Sequence, residues 1–346
     1  MRELTLLRRP PADTAAVIGI KNYTDGIEAC LKKEGIRFDV TPVDMNLGGG
    51  YFNLITNGFL RPLRSVLKVR SKDRIFHAAD ELCGIFFPLI RGKKILTVHH
   101  VIKKGEYRGS LYYMFWKTVT AVAIKSSDRV IAISDPTRED VIRTFKADPD
   151  KVVSVTSNIS RRFRIVEDVE KEKTIGCMGT LIPRKNMSSS ITAFRMLTDR
   201  PGMSEYVLEI CGEGPEKERL LRLAEESGVG GRVRFVSGLS DSDIITFYNR
   251  SALVFNTSLR EGMGMITIEA QRCGTPVLHL ERAEIPREVT RFSVPCADEA
   301  EMAERAYGLL TDRAEYERVS RTSKEYADTF GNDSCRLYLE LLKGLG

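Results

Sequence analysis

Short β-branched and aliphatic runs alternate along the chain with longer amphipathic stretches. The runs are RFDVTPV (37–43), DRIFHA (73–78), KKILTVH (93–99), DRVIAIS (128–134), KVVSVT (151–156), TIGCMG (174–179), YVLEICG (206–212), RVRFV (232–236), ALVFN (252–256) and TPVLHL (275–280). Strands separated by roughly 10 to 20 residues of helical pattern predict parallel sheets covered by helices on both faces, a doubly wound α/β arrangement. The rhythm breaks at RRFRIVEDVEKEK (161–173) and restarts at Thr174, which predicts a linker there. Near the end, Gly331-Asn332-Asp333-Ser334 precedes a segment in which Leu337, Leu341 and Leu345 recur at helical spacing, so a terminal helix is expected.

A length of 346 residues suits two domains, each able to bury its own core. We expect 1–165, joined by 331–346, as one domain and 166–330 as the other. With 42% hydrophobic and 29% charged residues the composition is that of a globular chain and not of a disordered or fibrous one. No window reaches the roughly 18 to 20 apolar residues of a membrane-spanning helix, and the N-terminal MRELTLLRRPPAD lacks the apolar core of a signal peptide. A cytoplasmic location follows as an expectation. The seven cysteines form no CxxC pair and are odd in number, so reduced and mostly buried thiols are expected.

Charge is uneven. Residues 1–160 hold 26 Lys/Arg against 17 Asp/Glu, whereas 161–346 hold 27 against 30. Basic stretches at 61–74 and 91–109 suit a phosphate-bearing acceptor, an anionic membrane surface or nucleic acid, and equally a solvated face with no partner.

The segment richest in chemistry is NTSLREGMGMITIEAQRCGTPVLHL (256–280). It reads as a strand end, a glycine-containing turn, a helix closed by Gly274 and Pro276, and a further strand. Glu261 sits before the helix and Glu269 inside it. Between them, the amides of Gly262, Met263 and Gly264 at a helix N-terminus suit an anion such as a diphosphate. Spacing alone would equally fit one capping and one solvated glutamate. Lys185 follows the strand TIGCMG, at a C-terminal strand end where open α/β sheets bind ligands, and His99 ends the strand KKILTV in the same way.

With Ser258 ahead of Glu261, this segment resembles the donor-site signature of the group 1 retaining glycosyltransferases, whose fold (GT-B) faces two Rossmann-like domains across a cleft. The likeness runs in order through GIKNYTDGIEACLKKEG (19–35), DRIFHA, TVHH (97–100), SDRVIAISDPTREDV (127–141), GTLIPRKNMSSSITAF (179–194), ICGEGPEKERL (210–220) and VRFVSGLSDSDIITFYNRS (233–251). The resemblance implies a C-terminal helix that crosses back to the N-terminal domain. It implies that Glu261 contacts the donor sugar, that the amides at 262–264 face sugar and diphosphate, that Glu269 binds the ribose and that Lys185 serves the diphosphate. His99 would lie near the sugar. Gly179, Gly212 and Gly19 would line the nucleotide site, Gly19 from an N-terminal loop that matches the family loosely.

Departures from the pattern are also present. Thr180 stands where the family has arginine, with Arg184 beside Lys185 as a replacement cation; Asn186 replaces a glycine, and His100 an aspartate. The implied reaction is metal-independent, retaining transfer of a hexosyl group, mannose or glucose, from a nucleotide-diphosphate sugar, with no cofactor. The implied acceptor is a glycan, glycolipid or lipid-linked hydroxyl, with peripheral contact to an anionic membrane and no nucleic acid. Aromatics at Tyr107, Tyr112, Tyr113, Phe115 and Trp116 fit core packing, with 110–125 as a candidate interfacial element. Asp148-Pro149-Asp150 and Asp241-Ser242-Asp243 have D-x-D spacing but sit where helix caps suffice. HExxH, GxSxG and Walker-type motifs are absent. A nucleotide-sugar epimerase or phosphorylase on the same architecture, or a basic binding protein, are the competing readings; retention of Glu261, Glu269 and Lys185 together argues against the last.

Overall fold

The computed structural model of the chain describes residues 3–9, 15–43, 60–69, 71–103, 110–156 and 162–345. Arg70, residues 104–109 with Tyr107, and Arg161, all drawn into the sequence reading, lie outside them. Two compact units result: one comprises the first strand, residues 20–158 and the segment from Gly331 onward, and the other comprises the start of α1 up to Gly19 together with residues 159 to Phe330.

The first unit is a parallel sheet of β1 (Glu3–Arg8), β2 (Phe38–Pro42), β3 (Arg74–Ala78), β4 (Lys93–Val98), β5 (Arg129–Ala132) and β6 (Val152–Ser154), in the order β2-β1-β3-β4-β5-β6. Its central strands bury both faces, as Ile75, Phe76, Ile95, Leu96, Val130 and Ile131 illustrate, which is why they read as continuous apolar runs. Helices α1 (Ala15–Lys33), α2 (Arg61–Val69), α3 (Ser110–Ser126) and α4 (Asp135–Phe145) connect the strands. β1 is not marked in the sequence, since its ELTLLR runs straight into Arg9 and two prolines and has no turn signal before it. Gly19 also needs correction: it lies within α1 and not in a loop before a helix at Gly26, because the segment from Ala15 to Ile20 carries no breaker besides that one glycine.

The second unit holds β7 (Thr174–Met178), β8 (Val207–Cys211), β9 (Val233–Val236), β10 (Leu253–Asn256), β11 (Val277–Leu280) and β12 (Val294–Cys296), again all parallel, in the order β12-β11-β10-β7-β8-β9. Read from the other edge this is the 3-2-1-4-5-6 order of a dinucleotide-binding sheet, with its topological switch between β7 and β10. Helices α5 (Met187–Thr198), α6 (Lys217–Glu226), α7 (Asp241–Arg250), α8 (Met265–Arg272), α9 (Arg287–Thr290), α10 (Glu299–Thr311) and α11 (Arg313–Thr329) complete it. β12 escaped the sequence reading because VPC is three residues long and contains a proline. Both D-x-D sequences are caps. Asp148 accepts from Asp150 N–H, and Asp243 closes a capping box with Ser240.

Helix α12 (Ser334–Lys343) belongs to the first unit. Its buried face is Ser334, Tyr338 and Leu342, followed by Leu345; Leu337 and Leu341, favoured by apolar spacing, are half-buried. Tyr338 places its hydroxyl 2.9 Å from His77 Nδ1, and His77 Nε2 lies 2.8 Å from Thr97 Oγ1. Cys335 forms a disulfide with Cys30 of α1, their Cα atoms 5.6 Å apart. The expectation of seven reduced thiols is therefore wrong for this pair, since partners 305 residues apart leave no spacing signal; the other five cysteines are free and buried. Helix α3 divides its apolar residues between two faces: Trp116, Val119, Ala123 and Ile124 are buried, whereas Tyr112, Met114, Phe115 and Val122 are exposed.

Candidate nucleotide-sugar site

In the second unit the loops that follow β7, β8 and β10 meet at the C-terminal edge of the sheet. Backbone hydrogen bonds stitch them together: Gly179 N–H donates to Cys211 O at 2.9 Å, Leu181 N–H to Glu213 O at 2.8 Å and Leu259 N–H to Arg184 O at 2.9 Å. The approach of the first two loops is so close that a Cβ on Gly212 would meet Gly179 O at 1.9 Å. After β7 the chain makes a 3-10 turn at Pro183–Lys185, and Asn186 takes φ of 50° before α5. Asparagine tolerates that left-handed geometry better than other non-glycine residues, which accounts for its standing where a glycine is usual.

This turn points Lys185 and Arg184 at Glu261. Lys185 Nζ lies 2.5 Å from Glu261 Oε1, Arg184 Nη1 lies 3.1 Å from Oε2, and Ser258 Oγ donates to Oε1 at 2.6 Å. Arg184 Nη1 also donates to Arg260 O at 2.6 Å. The stem of Lys185 runs over Gly179, with its Cε 3.1 Å from where a Cβ there would sit. Burial alone would raise the Glu261 carboxyl, but Lys185 and Arg184, with the Ser258 hydroxyl, overcome it and hold the group down at about 2. Glu261 is therefore ionised, and the trio carries one net positive charge. Thr180 is half-buried in the loop after β7.

Helix α8 begins at Gly264, whose φ of 84° lies in the left-handed region. It ends as the sequence predicts: Gly274 N–H donates to Gln271 O and Thr275 N–H to Ala270 O, a Schellman closure. Met263 is buried, and Gly262 precedes Gly264 in the turn. Glu269 is buried inside α8 and accepts a hydrogen bond from Tyr248 Oη of α7 at 3.1 Å. Tyr248 went unnoticed in the sequence because an aromatic at a buried helix position reads as core.

His99 lies in the first unit, one residue past β4. Its backbone N–H donates to Glu81 Oε1 at 3.0 Å and its Nε2 lies 2.8 Å from Ala79 O, while the Tyr23 ring meets it edge-on at 5.1 Å. A carbonyl only accepts, so Nε2 carries the proton and Nδ1 the lone pair. Burial lowers its pKa and keeps the ring neutral. Glu81 and the fully buried Asp80, which is paired with Arg9, add a carboxyl pair beside His99 that the sequence reading overlooked. His77 is fully buried and bonded on both nitrogens, so it is a core residue. Among the described residues no group of three or more His, Cys, Asp and Glu gathers as a metal site, and no helix is long and apolar enough to cross a membrane.

The second unit thus pairs a Rossmann-order sheet with a carboxylate held between two cations at its switch point, the place where open α/β sheets bind ligands. The model of the glycosyl transferases group 1 matches residues 159–326, and that of glycosyltransferase family 4 matches residues 26–157. The chain belongs to the group 1 glycosyltransferases. A curated relative is the serotype-specific mannosyltransferase WbdA of Escherichia coli, 26% identical over 214 residues, covering 57% of this chain and 26% of that protein. The chain spans between 26% and 54% of the length of the first curated relatives it matches. Among solved structures, Anabaena HepE in complex with UDP and glucose aligns over all of both chains with a TM-score of 0.75 at 14% identity. WaaG, a glycosyltransferase involved in lipopolysaccharide biosynthesis, aligns over 97% of this chain and 98% of its own with a TM-score of 0.72 at 14% identity. The two sheets with interleaved helices are thus a two-domain Rossmann-like fold of the GT-B type.

Proposed function

We propose that this chain transfers a hexosyl group, mannose or glucose, from a nucleotide-diphosphate sugar to an acceptor hydroxyl, with retention of configuration and without a metal. The observation that carries the reading is the Glu261 carboxylate held between Lys185, Arg184 and Ser258 at a sheet switch point. In the reading Glu261 orients the sugar, Glu269 holds the ribose, and the amides of Gly262, Met263 and Gly264 receive sugar and diphosphate beside Gly179, Thr180 and Gly212. His99 is the residue of the first unit assigned to the sugar.

The acceptor oxygen attacks the anomeric carbon on the face the nucleotide leaves. As the bond from that carbon to the β-phosphate oxygen breaks, the electron pair passes to the phosphate, which takes the acceptor's proton. Negative charge grows on the diphosphate during this step, so Lys185 and Arg184 favour the transition state over the ground state. Arg184, bonded to the same carboxylate as Lys185, then supplies the cation that Thr180 does not.

The acceptor in this reading is a glycan, glycolipid or lipid-linked hydroxyl at the cytoplasmic face of an anionic membrane. The exposed Tyr112, Met114, Phe115 and Val122 of α3, next to Lys117 and Lys125, support that part, as does the basic N-terminal half. Sedimentation with phosphatidylglycerol and phosphatidylcholine vesicles tests it: binding to the anionic vesicles alone, lost in Phe115→Ser, is expected.

Thermal stabilisation by nucleoside diphosphates and their hexose conjugates tests the central reading, since a ligand of the folded state raises the melting temperature. A shift for one base, weakened in Lys185→Ala and Glu269→Ala, with nucleotide released in proportion to added acceptor and unaffected by EDTA, is expected. Conversion of the sugar nucleotide without acceptor would instead make the chain an epimerase, and no shift at millimolar nucleotide would end the reading.

A further inference from the structure

Tyr248 has no role in the chemistry above, yet its environment is more specific than core packing requires. The side chain is fully buried at the C-terminal part of α7, between the rings of Phe163 and Phe247 at 6.0 and 5.6 Å. Its hydroxyl lies 3.1 Å from Glu269 Oε2 and 3.2 Å from Met178 Sδ at the end of β7. Of the two acceptors the carboxylate is far the stronger, so the single phenolic proton points at Glu269. Burial and the neighbouring carboxylate push the phenol's pKa well above its ordinary value, so the hydroxyl keeps that proton.

The backbone of Tyr248 is anchored independently. Its carbonyl accepts from Thr275 Oγ1 at 2.6 Å, directly beyond the C-terminus of α8, and Lys171 Nζ donates to Ser251 O at 2.9 Å just past α7. These contacts fix α7 against the end of the helix that carries Glu269. The hydroxyl is therefore presented to the carboxylate from a frame that a change in the side chain alone leaves in place. A glutamate has three side-chain torsions, and one hydrogen bond to Oε2 selects among its rotamers before any ligand arrives.

We propose that Tyr248 is a positioning residue that orients the Glu269 carboxylate toward the ribose hydroxyls of the bound nucleotide. The inference rests on the ribose reading of Glu269. Its consequence is specific: the Tyr248 hydroxyl matters only to ligands that have ribose hydroxyls for Glu269 to hold. A tyrosine that merely filled the core would affect every nucleotide alike.

Titration calorimetry with UDP and GDP, each beside its 2′,3′-dideoxy analogue, on wild type, Tyr248→Phe and Glu269→Gln separates these cases. We expect wild type to prefer the ribose form of the nucleotide it binds, and Tyr248→Phe to weaken that form about tenfold while leaving the dideoxy form within about twofold. If Tyr248→Phe keeps the wild-type preference while Glu269→Gln loses it, the proposal is overturned and the ribose reading stands. If wild type shows no preference, or binds neither nucleotide, the ribose reading fails and the proposal with it. Equal weakening of both forms in Tyr248→Phe makes the residue structural and also overturns the proposal. Should phenylalanine at 248 unfold the chain, 3-fluorotyrosine at that position keeps the ring and strengthens the donor; an unchanged ribose preference would then count against the proposal, and an altered one for it.

Discussion

The Lys185 ammonium lies 2.5 Å from the Glu261 carboxylate although 76 residues separate them, and Arg184 reaches the other oxygen of the same carboxylate at 3.1 Å. One anion thus restrains two cations at the place assigned to a diphosphate. Replacing Glu261 by Gln removes the restraint and leaves both cations to the ligand. If Glu261 orients the sugar as proposed, nucleoside-diphosphate affinity should rise or hold while turnover falls by roughly 100-fold. Calorimetry and steady-state kinetics on one preparation check the split; a parallel loss of affinity and turnover would mean that Glu261 holds the site together rather than the sugar.

A pH effect follows from Glu81. Burial, and then the adjacent Asp80, raise its carboxyl from an ordinary 4.5 to about 7. The folded chain therefore holds this proton more tightly than the unfolded chain does. Stability from this group is complete below about pH 4.5 and is lost as pH rises through about 7. Glu81→Gln keeps an oxygen for the His99 N–H and removes the titration. Its melting temperature should exceed that of wild type at pH 8 and match it near pH 5, as parallel melting curves would reveal; an equal offset at both pH values would refute the assignment.

Most of the second unit was legible because its chemistry is punctuated locally. Gly274 and Pro276 end α8 within a few residues of Glu269, and Gly262 and Gly264 mark its start, so strand, turn and helix could be laid out without tertiary information. The direction of Arg184 could not, since it depends on how two loops meet. Tyr248 was invisible for the same reason: its hydroxyl partner lies 21 residues on, in another helix. Elsewhere, Gly19 carries the same sequence signature as a turn because it is a single glycine in a helix, and Tyr338 does not stand out from the leucines beside it although it reaches His77 across the fold.

Cys30 and Cys335 give a prediction that needs no ligand. Under oxidising conditions thiol titration of the unfolded chain should find five of the seven cysteines, and all seven after reduction. The bond closes almost the whole chain into a loop and so restricts the unfolded state, a contribution on the order of 2–4 kcal/mol. Reduction should lower the melting temperature, and the double variant Cys30→Ser with Cys335→Ser should melt like the reduced chain and ignore reductant. A melting temperature insensitive to reductant would mean that apolar packing and the Tyr338 to His77 contact hold α12 unaided.

The loops after β7 and β8 touch backbone to backbone, and Gly212 is where that approach is decided. Its φ is 157°, and a Cβ there would stand 1.9 Å from Gly179 O, a distance no flexible side chain can relieve. Gly212→Ala must move one loop, and the loop after β7 carries Thr180, Arg184 and Lys185. A loss of roughly 3 kcal/mol in stability is expected, together with weaker nucleotide binding. Gly202 provides the control, because it has φ of 77° but nothing within 4 Å of where a methyl group would stand, so Gly202→Ala carries only backbone strain of about 1 kcal/mol and leaves binding unchanged. Chemical denaturation of the two variants measures the difference. If both lose the same amount, strain alone accounts for Gly212; if Gly212→Ala loses more and also loses nucleotide affinity, the close approach of the two loops is what shapes the phosphate end of the site.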